Sequence, residues 1–308
     1  MLLKLHYLAC TAAYAATAVL SRRRRPFIAG LVLNDQCNLR CAHCQLATTT
    51  PQSLSYDAVA AGLDHLRRLG IRALAITGGE PFLWKDGRRT LGDIVELVYR
   101  KGFLVSIVYT NGTFPIVTRA DNVFVSVDGG AETTRRLRGP IFDSVMDNIA
   151  QSRHPKIFVN FTINRVNVHE IEDFCAFCHR QPNIKRIFFF FHTPYYGIDD
   201  LYIPRAEALP VVRRILQLKK RYRVLNSSAA LHSYLADNWP RPSDVCVVYT
   251  NTGTLVRCCR AVGNEDACKY CGYLGYLEVI DITRYKLSAI RGGLAYLPSS
   301  RARRQCDS

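Results

Sequence analysis

From Phe27 onward, short runs of β-branched and aromatic residues alternate with helix-length amphipathic segments, and this alternation leaves few folds open to the chain. The spacing predicts strands over Ile28–Asn34, Arg72–Thr77, Leu104–Tyr109, Val123–Val127, Ile157–Ile163 and Lys185–Phe191. Helices are predicted over Tyr56–Leu69, Leu91–Lys101, Ile141–Gln151, Val168–Arg180 and Arg205–Arg221, with Ser55 as an N-cap and Gly70 and Gly102 as stops. Strands separated by helices pair in parallel through right-handed crossovers. Their near-continuous apolar character suits a sheet covered on both faces. Six repeats fall short of an eightfold barrel, so the expected class is α/β: a partial (βα)6 barrel over residues 26–235. In such folds the chemistry collects in the loops at the strands' C-terminal ends. At Pro240 the pattern changes to a hairpin-like segment and closely spaced cysteines, which predicts a small C-terminal cysteine-rich domain over residues 236–290. Residues 291–308 read as a basic tail.

The first twenty residues, MLLKLHYLACTAAYAATAVL, are apolar apart from Lys4 and His6, and Arg22, Arg23, Arg24 and Arg25 follow at once. This predicts an N-terminal apolar helix with an Arg block over residues 1–25. A secretory signal carries its charge before the apolar run, so cleavage and export are not expected. The run borders on the roughly 20 residues a membrane span needs. It reads as a membrane anchor, as a helix lying on anionic lipid, or as a helix packed on its own domain. In the first two cases the Arg block stays on the cytoplasmic side. The expected location is therefore cytoplasmic, with contact to the inner face of the cell membrane through residues 1–25. The chain carries 41 Lys and Arg against 25 Asp and Glu, a net +16 that reads either as attraction to an anionic partner such as a membrane surface, an acidic peptide or nucleic acid, or as solvated basic ends on an ordinary enzyme. Aromatics interleaved with basic residues on one strand face are absent, which argues against a nucleic-acid module.

Twelve cysteines cluster at tight spacings, a usage that points to metal binding or catalysis in a reducing compartment. Cys37, Cys41 and Cys44 lie in the loop after the first predicted strand. With His43 they supply the four ligands of a zinc site. Alternatively, three thiolates on a four-iron cluster leave one iron open to a substrate or cofactor.

In that position CxxxCxxC resembles the cluster signature of the radical S-adenosylmethionine (SAM) superfamily, and further motifs follow in order. Gly78, Gly79, Glu80 and Pro81 after the second strand resemble the family's GGEP loop, which presents backbone to the methionyl amino group. Tyr109-Thr110-Asn111-Gly112 resembles a family loop after the third strand. Val125–Gly129 with Arg136–Gly139 resembles the subgroup that carries auxiliary clusters. The resemblance implies a [4Fe–4S] cluster on Cys37, Cys41 and Cys44 that binds SAM. It also implies Ser126 and Asp128 near the ribose and Arg138 on the methionyl carboxylate, which suits a planar guanidinium. SAM would be cleaved reductively to methionine and a 5′-deoxyadenosyl radical, the cofactor carrying the hard step.

Cys246 precedes Gly253 by six intervening residues, Cys258 follows after four more with Cys259 adjacent, and Cys268 and Cys271 form a CxxC. This segment resembles the twitch domain, the shortened relative of the SPASM domain, and implies a second, auxiliary iron–sulfur cluster on Cys246, Cys258, Cys268 and Cys271. The Cys258/Cys259 doublet leaves the second ligand open, and four thiols also suit structural zinc. Cys175 and Cys178 on a predicted helix read as buried apolar residues. His192, Tyr195 and Tyr196 follow the sixth strand and read as packing or surface residues. The expected function is a radical SAM enzyme that modifies an unactivated C–H bond or an alkene of a peptide or lipid, served by an electron donor such as flavodoxin or ferredoxin. The alternatives are modification of RNA or a small molecule, or a non-catalytic iron–sulfur or zinc sensor.

Overall fold

The computed structural model describes residues 26–44, 51–195, 197–259 and 264–298, together with Ala9. The predicted helix and Arg block of residues 1–25 and the basic residues Arg301, Arg303 and Arg304 lie outside the described residues. No described helix is long and apolar enough to cross a membrane.

The six predicted strands are present as β1 (Ile28–Val32), β2 (Ala73–Thr77), β3 (Val105–Thr110), β4 (Asn122–Ser126), β5 (Ile157–Ile163) and β6 (Ile184–Phe191). They pair in parallel in sequence order without β6 returning to β1, so the barrel is partial and open. The crossover helices are α1 (Tyr56–Arg68), α2 (Leu91–Arg100), α3 (Ala131–Arg138), α4 (Phe142–Gln151), α5 (Ile171–Arg180), α6 (Arg205–Leu218) and α7 (Ser228–Leu235). Ser55 caps α1 as predicted, its hydroxyl accepting from the Ala58 N–H at 3.2 Å. Helix α3 follows β4 where no helix was predicted. Its sequence AETTRRLR buries one leucine and offers little apolar periodicity to read.

The C-terminal hairpin joins this sheet. Strand β7 (Cys246–Tyr249) pairs in parallel with β1, and β8 (Leu255–Arg257) runs antiparallel beside it. The eight strands run β6-β5-β4-β3-β2-β1-β7-β8. Three short helices follow: α8 (Glu265–Lys269), α9 (Leu274–Thr283) and α10 (Leu287–Gly293).

Period-two alternation sends one set of strand residues outward to the helices and the other into the barrel. The inner set is strongly aromatic. The Phe124 ring lies 4.9 Å from Tyr109, 5.1 Å from Phe158 and 6.0 Å from Tyr296 between centroids. Such pairs add about 0.5–1.5 kcal/mol each beyond the area they bury. Tyr296 is held at the N-terminal ends of β4 and β5, where Asn122 Nδ2 donates to its carbonyl at 2.9 Å and Lys156 Nζ donates to the Ala295 carbonyl at 2.9 Å. The stretch expected to open a basic tail therefore begins by sealing the floor of the barrel. The interior is left to open at the C-terminal ends of the strands.

Candidate active site

The loop after β1 carries the first three thiols and is fixed by backbone contacts. Gly79 N–H donates to the Asn34 carbonyl and Glu80 N–H to the Gln36 carbonyl, both at 2.8 Å. A Cβ on Gly79 would stand 2.2 Å from the Gln36 carbonyl oxygen, so this approach requires glycine. On the other side, Ala42 N–H donates to the Leu137 carbonyl of α3 at 2.8 Å. The cysteine loop thus sits between the GGEP loop and α3.

Cys37 and Cys41 are half-buried, while Cys44 is exposed. The Leu39 N–H approaches Cys37 Sγ at 3.4 Å and Asn111 Nδ2 at 3.8 Å, and Arg138 Nη1 lies 3.8 Å from Cys41 Sγ. Burial pushes the Cys41 thiol up to about 11, and Arg138 beside it acts in the opposite direction. Burial also raises Cys37, opposed by the Leu39 N–H. A soft metal that replaces the thiol protons would find thiolates already facing a cation and two N–H donors. The donor set therefore fits an iron–sulfur group. Among the described residues no three Cys, His, Asp or Glu side chains converge as a single-ion site requires.

Around this loop the polar residues pair with one another. Glu80 is fully buried: Oε1 accepts from the Phe82 N–H at 3.1 Å and the Thr110 hydroxyl at 2.8 Å, and Oε2 accepts from the Asn111 N–H at 2.7 Å. The carboxylate thus fixes the loop after β3, while Gly78 and Gly79 present only backbone and Pro81 is buried. Asp128 is also fully buried; Oδ2 accepts from Arg138 Nε at 2.7 Å and Oδ1 from the Thr162 N–H at 2.7 Å. His43 Nε2 lies 3.6 Å from the same Asp128 Oδ2. Burial, seconded by Arg138, pushes His43 down to about 4, so its imidazole is neutral. Ser126 ends β4, half-buried, in register with Asn160 on β5. Asn160 is buried and its Oδ1 meets no donor among the described residues.

The second group lines a small pocket walled by Cys258, Cys259, Cys268 and Cys271 with Trp239 and Arg241. Cys246 opens β7, and its carbonyl accepts from the Cys258 N–H at 2.9 Å. Tyr276 Oη donates to the Cys258 carbonyl at 2.7 Å. Burial pushes Cys271 up to about 12 and raises Cys246 and Cys268. Cys258 is raised first by its hydrogen bond to Cys259 and then by burial. The charge of Cys259 acts on all four of the others, so both members of the doublet lie within the group. Cys175 and Cys178, by contrast, are buried in the apolar layer outside the sheet, as their sequence suggested.

The loop after β6 links the two groups. Gly272 packs so closely that a Cβ would stand 2.5 Å from Phe191 Cβ, and its N–H donates to the Thr193 hydroxyl at 3.0 Å. Asn264 Nδ2 donates to the Tyr195 carbonyl at 3.1 Å. His192, discounted on sequence grounds, is buried with Nε2 at 2.8 Å from Asp199 Oδ2, and both groups act electrostatically on His43. Tyr195 is partly exposed, and Tyr196 lies outside the described residues. Asn111 belongs to the motif after the third strand, whereas Thr162, Asn160, Trp239 and Arg241 carried no sequence signal of their own. Only their place at strand ends or beside a cysteine could have marked them.

A family model described as "Radical SAM superfamily" matches residues 31–178. The chain is 30% identical over 215 residues to the Fe-coproporphyrin III synthase of Methanosarcina barkeri, a match covering 65% of this chain and 51% of that protein. It is 28% identical over 182 residues to the pre-heme d1 synthase of Dinoroseobacter shibae, covering 54% and 43%. The chain thus spans about half the length of these curated relatives. The crystal structure of Streptococcus suis SuiB bound to precursor peptide SuiA superposes with a TM-score of 0.64 at 12% identity, covering 94% of this chain and 71% of that one. That likeness extends the shared fold through the cysteine-rich C-terminal region. A parallel partial barrel, a cysteine loop at its first strand and a family model over residues 31–178 together show that this chain carries a radical SAM domain; members of that superfamily use a [4Fe–4S] cluster and SAM.

Proposed function

We propose that this chain is a radical SAM enzyme that modifies a peptide at an unactivated C–H bond or an alkene. Cys37, Cys41 and Cys44 would hold a [4Fe–4S] cluster. When bound, it would supply one-electron chemistry toward SAM, the electron drawn from an external donor such as flavodoxin or ferredoxin. The chain's own residues position and shield. Gly78 and Gly79 let a ligand's amino group approach the backbone closely. Arg138, its Nε held by Asp128, turns its remaining N–H groups toward the cysteine loop, where a carboxylate can accept them. Asp128 acts through Arg138 as a positioning residue. Ser126 is the hydroxyl offered to the ribose. The aromatic floor excludes water from below, which protects a reactive radical.

The observation that carries this reading is the backbone contact between the cysteine loop and the GGEP loop, which places three thiols and two glycines in one short stretch of surface. A second cluster on Cys246, Cys268, Cys271 and one of Cys258 or Cys259 is supported by the pocket that Cys258, Cys259, Cys268 and Cys271 line and by the Cys258 N–H donating to the Cys246 carbonyl beside it. All ten described cysteines are free, which suits a reducing compartment. The peptide assignment draws on the fold shared with SuiB across both regions. A second reading, a tetrapyrrole or other small molecule, is favoured by the names of the sequence relatives.

The test is iron and acid-labile sulfide per chain after anaerobic reconstitution, with dithionite-driven release of 5′-deoxyadenosine from the same sample. About eight irons with SAM cleavage are expected for two four-iron clusters. A fully loaded protein that releases no 5′-deoxyadenosine would overturn the enzyme reading.

A further inference from the structure

Trp239 is 7% exposed and lines the C-terminal cavity beside Cys258, Cys259, Cys268 and Cys271. Its Nε1 is buried and meets no acceptor among the described residues. A buried donor without a partner forfeits its hydration, so an indole N–H is rarely left this way unless a ligand completes it. The chain's other tryptophan shows the contrast: Trp84 is buried too, and its Nε1 donates to the Leu54 carbonyl at 2.9 Å. Trp239 is also held in orientation. The Arg241 guanidinium covers its ring at 4.8 Å from the centroid, and Arg241 Nη1 donates to Asp237 Oδ1 at 2.9 Å. Arg241 lines the same cavity. The wall therefore presents sulfur acceptors, one fixed cation and one unfilled donor.

Resting on the reading that these thiols hold an auxiliary cluster, we propose that the Trp239 indole N–H donates a hydrogen bond to a sulfur of that cluster and raises its reduction potential. Hydrogen bonds to cluster and ligand sulfurs are a principal determinant of such potentials, because they favour the more negative, reduced state. Trp239 is thus a positioning and tuning residue: it sets how readily the second cluster takes up an electron and leaves the first cluster alone.

The experiment uses the full chain, reconstituted anaerobically and grown with tryptophan labelled with ¹⁵N at the indole nitrogen. Signals of the C-terminal cluster are those lost in a Cys268→Ala/Cys271→Ala variant. Pulsed EPR of the reduced wild-type protein should show a ¹⁵N coupling on those signals, absent in Trp239→Phe. Potentiometric titration of Trp239→Phe should show electron uptake by that cluster disfavoured about tenfold, about 59 mV for a one-electron couple, with the first cluster unmoved. Two loaded clusters without a ¹⁵N coupling would overturn the assignment while leaving the auxiliary cluster standing. About four irons per chain, and no signal that depends on Cys268 and Cys271, would overturn both. Should Trp239→Phe fail to load, the wild-type coupling alone decides.

Discussion

The two cysteine groups are built on opposite plans. The first takes three thiols from one eight-residue stretch, leaves Cys44 exposed, and surrounds itself with groups that recognise a polar ligand: Arg138, Asn111 and the GGEP backbone. The second draws four thiols, from the end of β8, from α8 and from the turn after it, around a pocket whose other lining is chiefly aromatic and apolar, with Cys246 at the start of β7 beside them. An open, charged site suits a ligand that comes and goes with each turnover. A closed, soft one suits a resident group whose surroundings set its electronics.

Substitution of the cysteines tests that contrast most severely. Replacing Cys37, Cys41 and Cys44 by alanine should reduce 5′-deoxyadenosine release to background while about half the iron remains. Cys268→Ala/Cys271→Ala should remove a similar share of iron and leave SAM cleavage measurable. If iron is unchanged in the second variant, the C-terminal group is no cluster site. Next in size is the buried pair under the first site. Asp128→Ala strands the Arg138 charge and should cost about 3–5 kcal/mol in urea unfolding. Adding Arg138→Met should recover much of that loss without restoring SAM binding. Gly79→Ala pushes the GGEP loop off the Gln36 carbonyl, an overpacking expected to cost about 1–3 kcal/mol, with poorer iron retention at the first site only.

The smallest effect concerns the helices that brace the second site. Glu278 on α9 accepts from the Ser227 N–H at 2.7 Å at the start of α7, and burial raises it from 4.5 to about 7. Its folded-state value lies above the unfolded one, so the stability it contributes is present below about 4.5 and lost as pH rises toward 7. Glu278 is half-buried, and the change across that window should be about 1–2 kcal/mol. Thermal unfolding at several pH values should show it, and Glu278→Gln should flatten the profile.

How much of this was legible depends on whether the signal was local. β5 matches its predicted bounds and the other five strands fall within two residues of theirs at each end, because both faces of the sheet are covered and each strand reads as an apolar run. The cysteine spacings were equally local. What could not be read is long-range. Nothing in CVVY says that it pairs with β1 over two hundred residues away, and nothing near Tyr296 says that it stacks on Phe124. The pairings of Asp128 with Arg138 and of Glu80 with the Asn111 N–H likewise join strand ends that only the folded sheet brings together. His192 is buried, in keeping with a packing role, and its partner Asp199 lies seven residues on, in a loop without periodicity to read.

The open sheet has a mechanical consequence. Among the described residues no ladder joins β6 to β7 or β8; what spans that gap is the Phe191 N–H, which donates to the Gly272 carbonyl at 3.0 Å, the Gly272 N–H on the Thr193 hydroxyl at 3.0 Å, and the close packing of Gly272 on Phe191. A continuous ladder resists widening one bond at a time. A seam held at the Gly272 turn and by packed side chains parts at far smaller cost than a ladder. The molecule therefore has a compliant side and a stiff side, and its second thiol group sits across the compliant one.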